Sequence, residues 1–430
     1  MSNKSRRDFI KSSGAVALGA TFLPTANISG HPKNEARKLK VGLVGCGGRG
    51  TGAAVQAVNA DPNVELTAMG DIFSDKLEAS YLSLQQEIPD KLKVDDAHKF
   101  IGFDAYKKVI ESVDVVLLTT PPAFRPDHLK AAITAGKHAF CEKPVAVDAP
   151  GVRKVIEAAK EAQSKKLSIL CGFCFRYDSS NRAIYDRIHG GDIGEIRSIS
   201  TFRFGGELWS KPREAGWTDM EYQLRNWLYY DWLSGDFITE MAVHSLDLMA
   251  WVMQDKTPIK AIGTGGRQKR VGPIYGNIYD HFAIEFQYEN GIKANHFGRQ
   301  MAGCSNKNTV DVFGTEGQAY LQMGRKLEIM GKNPWQFRGE KNNMYQTEHD
   351  EFFAAIRSGE PKNDGFWMAN STMLAILGRM VAYSGQEITW DEAINSEIKL
   401  GPDIDDYDWD LKWKSSDVAI PGITKASLIY

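Results

Sequence analysis

Residues 38–50 read Lys38-Leu39-Lys40-Val41-Gly42-Leu43-Val44-Gly45-Cys46-Gly47-Gly48-Arg49-Gly50. An apolar run of strand character passes directly into G-x-G-x-x-G and then into a helical stretch, Thr51 to Asn59. Strand, glycine turn and helix in that order form the context in which the motif binds a dinucleotide. Gly45 permits the tight turn, Gly47 lets the backbone approach a pyrophosphate, and Gly50 lets helix and strand pack closely. Cys46, Gly48 and Arg49 complete the loop, and the helix N-terminus offers its free N–H groups to the phosphates. The next strand, Val64 to Met69, ends in Gly70-Asp71. Asp71 lies 21 residues past Gly50, where a carboxylate accepts from the adenosine ribose hydroxyls. It also repels a 2′-phosphate, so NAD is expected rather than NADP.

Two further apolar strands follow. Val113 to Thr119 ends in Thr119-Thr120-Pro121-Pro122, and Lys137 to Cys141 ends in Glu142-Lys143-Pro144. Open α/β sheets bind ligands at the C-terminal ends of their strands, so Thr119, Pro121, Glu142 and Lys143 are expected at the cofactor. Strands alternating with helices predict a doubly wound parallel sheet, a dinucleotide-binding domain over residues 35–165.

The rest of the composition agrees with a globular enzyme. The 430 residues predict two or three domains, with 43% hydrophobic and 25% charged residues. A net charge of −2 gives no global reason to seek nucleic acid or an anionic membrane. Five cysteines are too few, and odd in number, for a disulfide framework.

The first 30 residues read as an address. Ser5-Arg6-Arg7-Asp8-Phe9-Ile10-Lys11 resembles the twin-arginine export signal, and a mild apolar run, Gly14 to Leu23, follows. That run is far below the ~20 apolar residues of a membrane span. No clean cleavage triplet stands near Ala26, so an uncleaved signal stays open. The route carries folded proteins, commonly those that load a cofactor before export. A periplasmic or otherwise exported protein with a bound cofactor is therefore expected.

Together, the glycine turn, the Thr-x-Pro after a later strand, Ala135-Gly136-Lys137-His138 and Glu142-Lys143-Pro144 resemble the Gfo/Idh/MocA oxidoreductases over roughly residues 38–385. The resemblance implies a Rossmann domain followed by an α+β substrate domain, here 166–400, built on a large open, mainly antiparallel sheet. One face of that sheet packs on helices, and the other typically pairs subunits into a homodimer or homotetramer. Segments 194–206, 259–265, 279–289, 292–300, 308–314 and 317–323 alternate as such strands would. Helix-like segments at 345–358 and 364–383 are expected to pack back on the first domain. Arg176-Tyr177 resembles the arginine-aromatic pair that closes that domain near the nicotinamide. The tail, 401–430, is rich in Trp, Tyr and Asp and shows no pattern.

Asp236 to Met253 reads as one helix, apolar nearly all round and therefore buried. Glu240, His244 and Asp247 fall on one stripe of it. Ionisable groups in a buried line are costly unless they pair or line a polar cleft. The pattern resembles the family's D-x-x-x-H, whose histidine is the proton acceptor, with Glu240 where Asp is usual. His244 is thus the expected base, Glu240 its tuning carboxylate, and Lys143 the donor to the reacting oxygen. The bland alternative is a core histidine held by two carboxylates.

Residues 202–237 hold ten aromatics, Trp227 among them, where 36 residues of this chain would average about four. Aromatic faces interleaved with polar groups suit a sugar ring. Lys143, Tyr177, Trp227, Glu240, His244 and Asp247 are the expected substrate contacts. No metal site is expected: Cys171 and Cys174 have no second pair, and His281, His296 and His349 lack ligand spacing. The basic run Arg267 to Arg270 reads as a solvated turn.

These residues predict an exported NAD-dependent oxidoreductase acting on a secondary hydroxyl of a sugar, glycoside or cyclic polyol. Without a free cofactor pool outside the cytoplasm, its dinucleotide should stay bound and be recycled. Two alternatives remain. One is NAD-dependent glycoside cleavage by oxidation and elimination, although glycosidases resembling this fold usually carry Thr-His-Gly where this chain has Val243-His244-Ser245. The other is a non-catalytic sugar-binding protein on the same fold.

Overall fold

The computed structural model describes residues 37–430; the twin-arginine motif and its apolar run lie outside the described residues. The first half alternates strand and helix: β1 (Leu39–Val44), α1 (Gly48–Asn59), β2 (Val64–Asp71), α2 (Ser74–Glu87), β3 (Lys99–Ile101), α3 (Ala105–Ser112), β4 (Val115–Leu118), α4 (Arg125–Thr134), β5 (His138–Cys141), α5 (Ala149–Lys165) and β6 (Ile169–Cys171). All six strands are parallel, in the order β3-β2-β1-β4-β5-β6. The order reverses between β1 and β4, and that switch point opens the crevice in which such sheets bind ligands. β1 and β4 are buried almost completely because helices cover both faces. Gly42 is part of that packing: a Cβ there would lie 2.4 Å from Val109 of α3. β6 lies past residue 165, and its pairing with β5 makes it the last strand of the first sheet.

The chain then builds α6 (Ser179–His189), β7 (Ile196–Gly205), α7 (Asp219–Arg225), α8 (Asp231–Ser234), α9 (Asp236–Glu240), α10 (Val243–Val252) and β8 (Lys260–Gly266). Strands β9 (His281–Gln287), β10 (Lys293–Gln300), β11 (Lys307–Gly314), β12 (Gly317–Gln322), β13 (Lys326–Gly331) and β14 (Trp335–Gln336) follow. Helices α11 (Met344–Ser358) and α12 (Gly365–Ser384), strand β15 (Ile388–Thr389) and helix α13 (Trp390–Ile394) complete the regular elements. The nine strands form one open sheet, antiparallel except where β10 runs parallel to β7. The expected α/β architecture, a parallel Rossmann sheet followed by a large mainly antiparallel sheet, is the one observed.

Two helices join the halves. α11 places Phe352, Phe353 and Ile356 in the core that contains α1 and β1. α12 is buried along nearly its whole length, and its Met368, Met373 and Ile376 share a core with α5 and the inner face of the second sheet. The tail also belongs to the fold. Tyr407 stacks on Phe103 at 5.7 Å and on Trp232 at 6.1 Å, and Trp409 meets Phe103 at 4.8 Å. Burying such a ring contributes about 1.5–3 kcal/mol, against less than about 1 kcal/mol for an exposed pair such as Lys107–Asp405. Aromatic packing, not charge, therefore holds the tail down. Among the described residues no helix is long and apolar enough to cross a membrane.

Candidate active site

The glycine turn after β1 has the geometry its spacing implies. Gly45 stands at φ +95°, and a Cβ there would lie 2.7 Å from the Thr120 N. A Cβ at Gly50 would fall 2.1 Å from the Gly45 carbonyl and 2.5 Å from Thr119 Oγ1. Gly47 and Gly48 have nothing within 4 Å of a Cβ, so their backbone faces open space. That space is a cavity of about 550 Å³, lined by the turn, Arg49, Asp71, Thr119 and Pro121. Its far wall is Phe73, Phe103, Tyr106 and Phe124, and Trp209, Lys211, Arg225 and Trp227 of the second half close it. Asp71 Oδ2 accepts the Cys46 N–H at 2.6 Å and Oδ1 accepts the Phe73 N–H at 2.9 Å. Burial pushes its carboxyl up while these bonds oppose the shift, and each oxygen keeps a lone pair for a ribose hydroxyl. Exposed backbone, a carboxylate at the end of β2 and apolar walls fit a dinucleotide. Cys46 serves through its backbone; its side chain is buried.

The reacting groups gather beyond this cavity, at the end of β5. Glu142 Oε1 accepts from Arg49 Nε at 2.5 Å, and Glu348 Oε1 accepts from Arg49 Nη2 at 2.9 Å. Burial and the neighbouring Glu142 charge hold the Glu348 carboxyl well above the usual carboxylate range. Gly172 makes room for Glu142, since a Cβ there would lie 2.6 Å from that carboxylate. Lys143, joined to Pro144 by a cis peptide, donates from Nζ to the Glu240 carbonyl at 2.6 Å and to Glu240 Oε1 at 3.3 Å. These side chains are 12% and 14% exposed, nearly enclosed yet open on one side. His244 follows in the first turn of α10, edge-on to Phe175 at 5.1 Å. Its Nδ1 is buried without a hydrogen-bond partner. Burial first, then the charges of Lys143 and Arg203, push its pKa well below the usual histidine value. The imidazole is therefore neutral at pH 7 and able to accept a proton.

The structure departs from the sequence reading at several residues. Asp236–Met253 is not one helix: α9 ends at Glu240 and α10 begins at Val243. A continuous helix would direct the Glu240 carbonyl at the His244 N–H, but Lys143 takes that carbonyl. The stripe is thereby split, and the Glu240 carboxylate faces Lys143 rather than holding the histidine ring. Asp247 is 1% exposed and accepts from Arg176 Nε at 2.9 Å and Ser371 at 2.8 Å, away from the cleft. Arg176 also pairs with Asp255 and lies over the Trp367 ring, 4.0 Å from its centroid, so it lines neither the cavity nor the cleft. Tyr177 is buried and donates to Asp364 at 2.5 Å. A carboxylate on an all-apolar buried helix needs a cation, and Arg176 is that cation.

Trp227 lines the dinucleotide cavity, not a sugar cleft. Of the other aromatics in 202–237, Tyr229, Trp232 and Phe237 are core, and Phe202 and Phe204 lie on the outer face of the second sheet. The basic run is a solvated bend at Gln268 and Lys269, but Arg270 is buried, donating to the Tyr279 carbonyl at 2.6 Å and to Gln300. Cys171 and Cys174 are buried free thiols. Trp209, Lys211 and Arg225 belong to the stretch read as facing a sugar but line this cavity instead, and the strand residue Arg203 carried no signal in the sequence. The aromatic density pointed at the roof, but periodicity carries no signal for which cavity a loop covers.

Two sequence profiles match the chain. One, an oxidoreductase family with an NAD-binding Rossmann fold, covers residues 39–169, and the GFO/IDH/MocA C-terminal domain covers 181–320. The chain belongs to the Gfo/Idh/MocA oxidoreductase family. Within it, the chain is similar to the myo-inositol 2-dehydrogenase of Thermotoga maritima, 23% identical over 75% of this chain and 90% of that protein. The inositol 2-dehydrogenase of Salmonella typhimurium is 28% identical over 75% of this chain and 87% of its own length. The fold matches the crystal structure of the aldose-aldose oxidoreductase from Caulobacter crescentus with a TM-score of 0.66 and 18% identity, over 82% of this chain and all of that one. The first sheet is accordingly the family's NAD-binding Rossmann domain, and the Lys143–Glu240 contact joins it to the family's C-terminal domain.

Proposed function

We propose that the protein is an NAD-dependent dehydrogenase acting on a secondary hydroxyl of a sugar, glycoside or cyclic polyol. The observation that carries this reading is one chain of contacts. Arg49 of the phosphate-facing loop holds Glu142, whose neighbour Lys143 reaches Glu240 at the end of α9, four residues before His244 in the first turn of α10. A donor and a neutral base thus stand together beside the dinucleotide cavity. When bound, the nicotinamide supplies the hydride acceptor. His244 accepts the hydroxyl proton, and Lys143 hydrogen-bonds the same oxygen as it becomes a carbonyl, stabilising its developing charge. Glu240 aims the ammonium group through two acceptors. The relatives named as inositol dehydrogenases support the substrate class.

NAD rather than NADP follows from Asp71, which would face a 2′-phosphate with a carboxylate; Lys76, also in the cavity wall, weakens that repulsion. Tight retention follows from the roof of Trp209, Arg225 and Trp227 over the glycine turn. The resemblance of Ser5 to Lys11 to a twin-arginine signal supports a location outside the cytoplasm, where a retained and recycled cofactor would be needed. The outer face of the second sheet exposes Ile262, Phe313 and Met330 and carries the Phe202–Phe297 stack, a surface suited to a second copy of the chain.

The test is purification without added cofactor, followed by the reduced-nicotinamide absorbance as a panel of sugars, glycosides and inositols is added. Absorbance that rises with at least one of them is the expected result. Turnover of short 2-hydroxy acids with no response to any sugar or polyol would refute the reading.

A further inference from the structure

Arg203 stands near the C-terminal end of β7, directly opposite Gly298 of β10 and Asn308 of β11. Residues paired across strands share a face, and Thr201, two residues before it, points inward to His296. Arg203 is therefore on the inner face of the sheet, the face that carries the helices and the reacting groups. Its charge reaches Glu240, His244 and His296, so it lies on the side of the sheet that holds the base and the partner of Lys143. It is partly buried, and among the described residues it has no hydrogen bond or ion pair.

That state is costly for a half-enclosed guanidinium, which gives up part of its water without gaining a partner. Arg49, Arg176 and Arg225 follow the rule, paired with Glu142 and Glu348, Asp247 and Asp255, and Asp75 and Glu221, whereas buried Arg379 of α12 has no hydrogen-bond partner among the described residues and only the charge of Asp231 near it. Around the reacting groups the charges do not cancel. Arg49 is matched by Glu142 and Lys143 by Glu240, and His244 is neutral, whereas Arg203 has no carboxylate on it. One positive charge is left over on a planar fork with five donors. Beside it, His296 Nε2 is buried without a partner.

We propose that Arg203 anchors a carboxylate on the substrate, so that the sugar oxidised is a sugar acid of the hexuronic type rather than a neutral polyol. A carboxylate matches the guanidinium in shape and in its single charge. A phosphate carries nearly two charges, and the cleft has one to offer. The inference rests on the dehydrogenase reading and narrows its substrate class.

The experiment uses the full-length protein with its bound cofactor. Methyl glucuronoside and methyl galacturonoside are compared with methyl glucoside and methyl galactoside, and with the corresponding 6-phosphates. Cofactor reduction and calorimetric binding are both read. The uronosides are expected to give kcat/KM at least about tenfold above their neutral counterparts. Arg203→Met should raise KM for the uronoside about a hundredfold with a smaller change in kcat, and should abolish the preference. Arg203→Lys, which keeps the charge but loses the fork, should fall between and covers the case in which the methionine variant does not fold.

Neutral sugars reduced as well as or better than the acids would overturn the anchor and leave the dehydrogenase standing, as would a preference for the 6-phosphates. Uronoside binding that depends on Arg203 without any cofactor reduction would keep the anchor and overturn the dehydrogenase. No binding and no turnover of any uronoside would overturn the anchor.

Discussion

Glu240 offers Lys143 two acceptors, a backbone carbonyl and a carboxylate oxygen. Glu240→Gln keeps the carbonyl and replaces a charge-assisted bond with a neutral one, a loss on the order of 1 kcal/mol. We expect kcat to fall about fivefold, with no loss of bound dinucleotide; a fall beyond a hundredfold in steady-state turnover would mean that the carboxylate itself reacts. His244→Ala removes the base, and positioned general-base catalysis contributes about a hundred- to ten-thousand-fold. Single-turnover reduction of the bound cofactor should slow by that range while cofactor content stays normal. Near-normal reduction would remove His244 from the mechanism. Asp71→Ala deletes the carboxylate at the end of β2. The preference for NAD over NADP, measured as a ratio of binding constants on stripped protein, should shrink; an unchanged ratio would take Asp71 out of the ribose site.

At the scale of elements, the roof of the cavity is latched by α7. Arg225 pairs with Asp75 of α2 at 3.1 Å, and its guanidinium lies 4.0 Å from the centre of the Phe73 ring. The ion pair is worth less than about 1 kcal/mol and the cation–π contact about 0.5–1 kcal/mol. Arg225→Ala should therefore speed release of the dinucleotide about tenfold, read as cofactor lost during dialysis, with the fold intact. Retention unchanged from wild type would mean that the roof does not hold the cofactor. The sharp entry into α9 depends on Asp236, a buried residue at φ +68° that accepts from the N–H groups of Phe237 and Tyr279 and the hydroxyl of Tyr383. Burial pushes its carboxyl up to about 6 against these bonds. Such a conformation survives only where surrounding bonds over-determine it, which explains why Asp and not a larger residue stands there.

Across the whole molecule, buried histidines couple stability to pH. Burial lowers the pKa of His128 to about 3 from the usual 6.5, and its ring stacks on Tyr106 at 4.1 Å. Below pH 6.5 the unfolded chain takes up a proton there that the folded chain refuses until about pH 3. This residue's contribution is thus complete above 6.5 and declines as pH falls through the window between the two values, by about 1.4 kcal/mol per unit. Buried carboxyls such as Asp236 titrate in the opposite sense, so the test is a difference. His128→Phe keeps the stacking and should lose about 2 kcal/mol less than wild type between pH 7 and pH 5 in chemical denaturation. An identical loss in both proteins would show that His128 does not contribute.

The residues around Gly45 determined the first domain without any help from tertiary structure. Strand, glycine turn and helix are local, and a missing side chain at Gly47 reads the same in a string of letters as in the folded chain. The strands of the second sheet were legible for a similar reason, because alternation with period two follows from the pleat. Only the tertiary structure decided where single polar residues went. Asp247 and Glu240 look alike on a helical stripe, but a buried carboxylate goes to whichever cation reaches it, Arg176 for one and Lys143 for the other. The parallel pairing of β7 with β10, the aromatic loop closing over the dinucleotide, and the unpaired charge of Arg203 on the side of the sheet that holds His244 all join residues far apart in sequence. Each depends on which surface the chain meets when it folds back, and local periodicity holds no record of that.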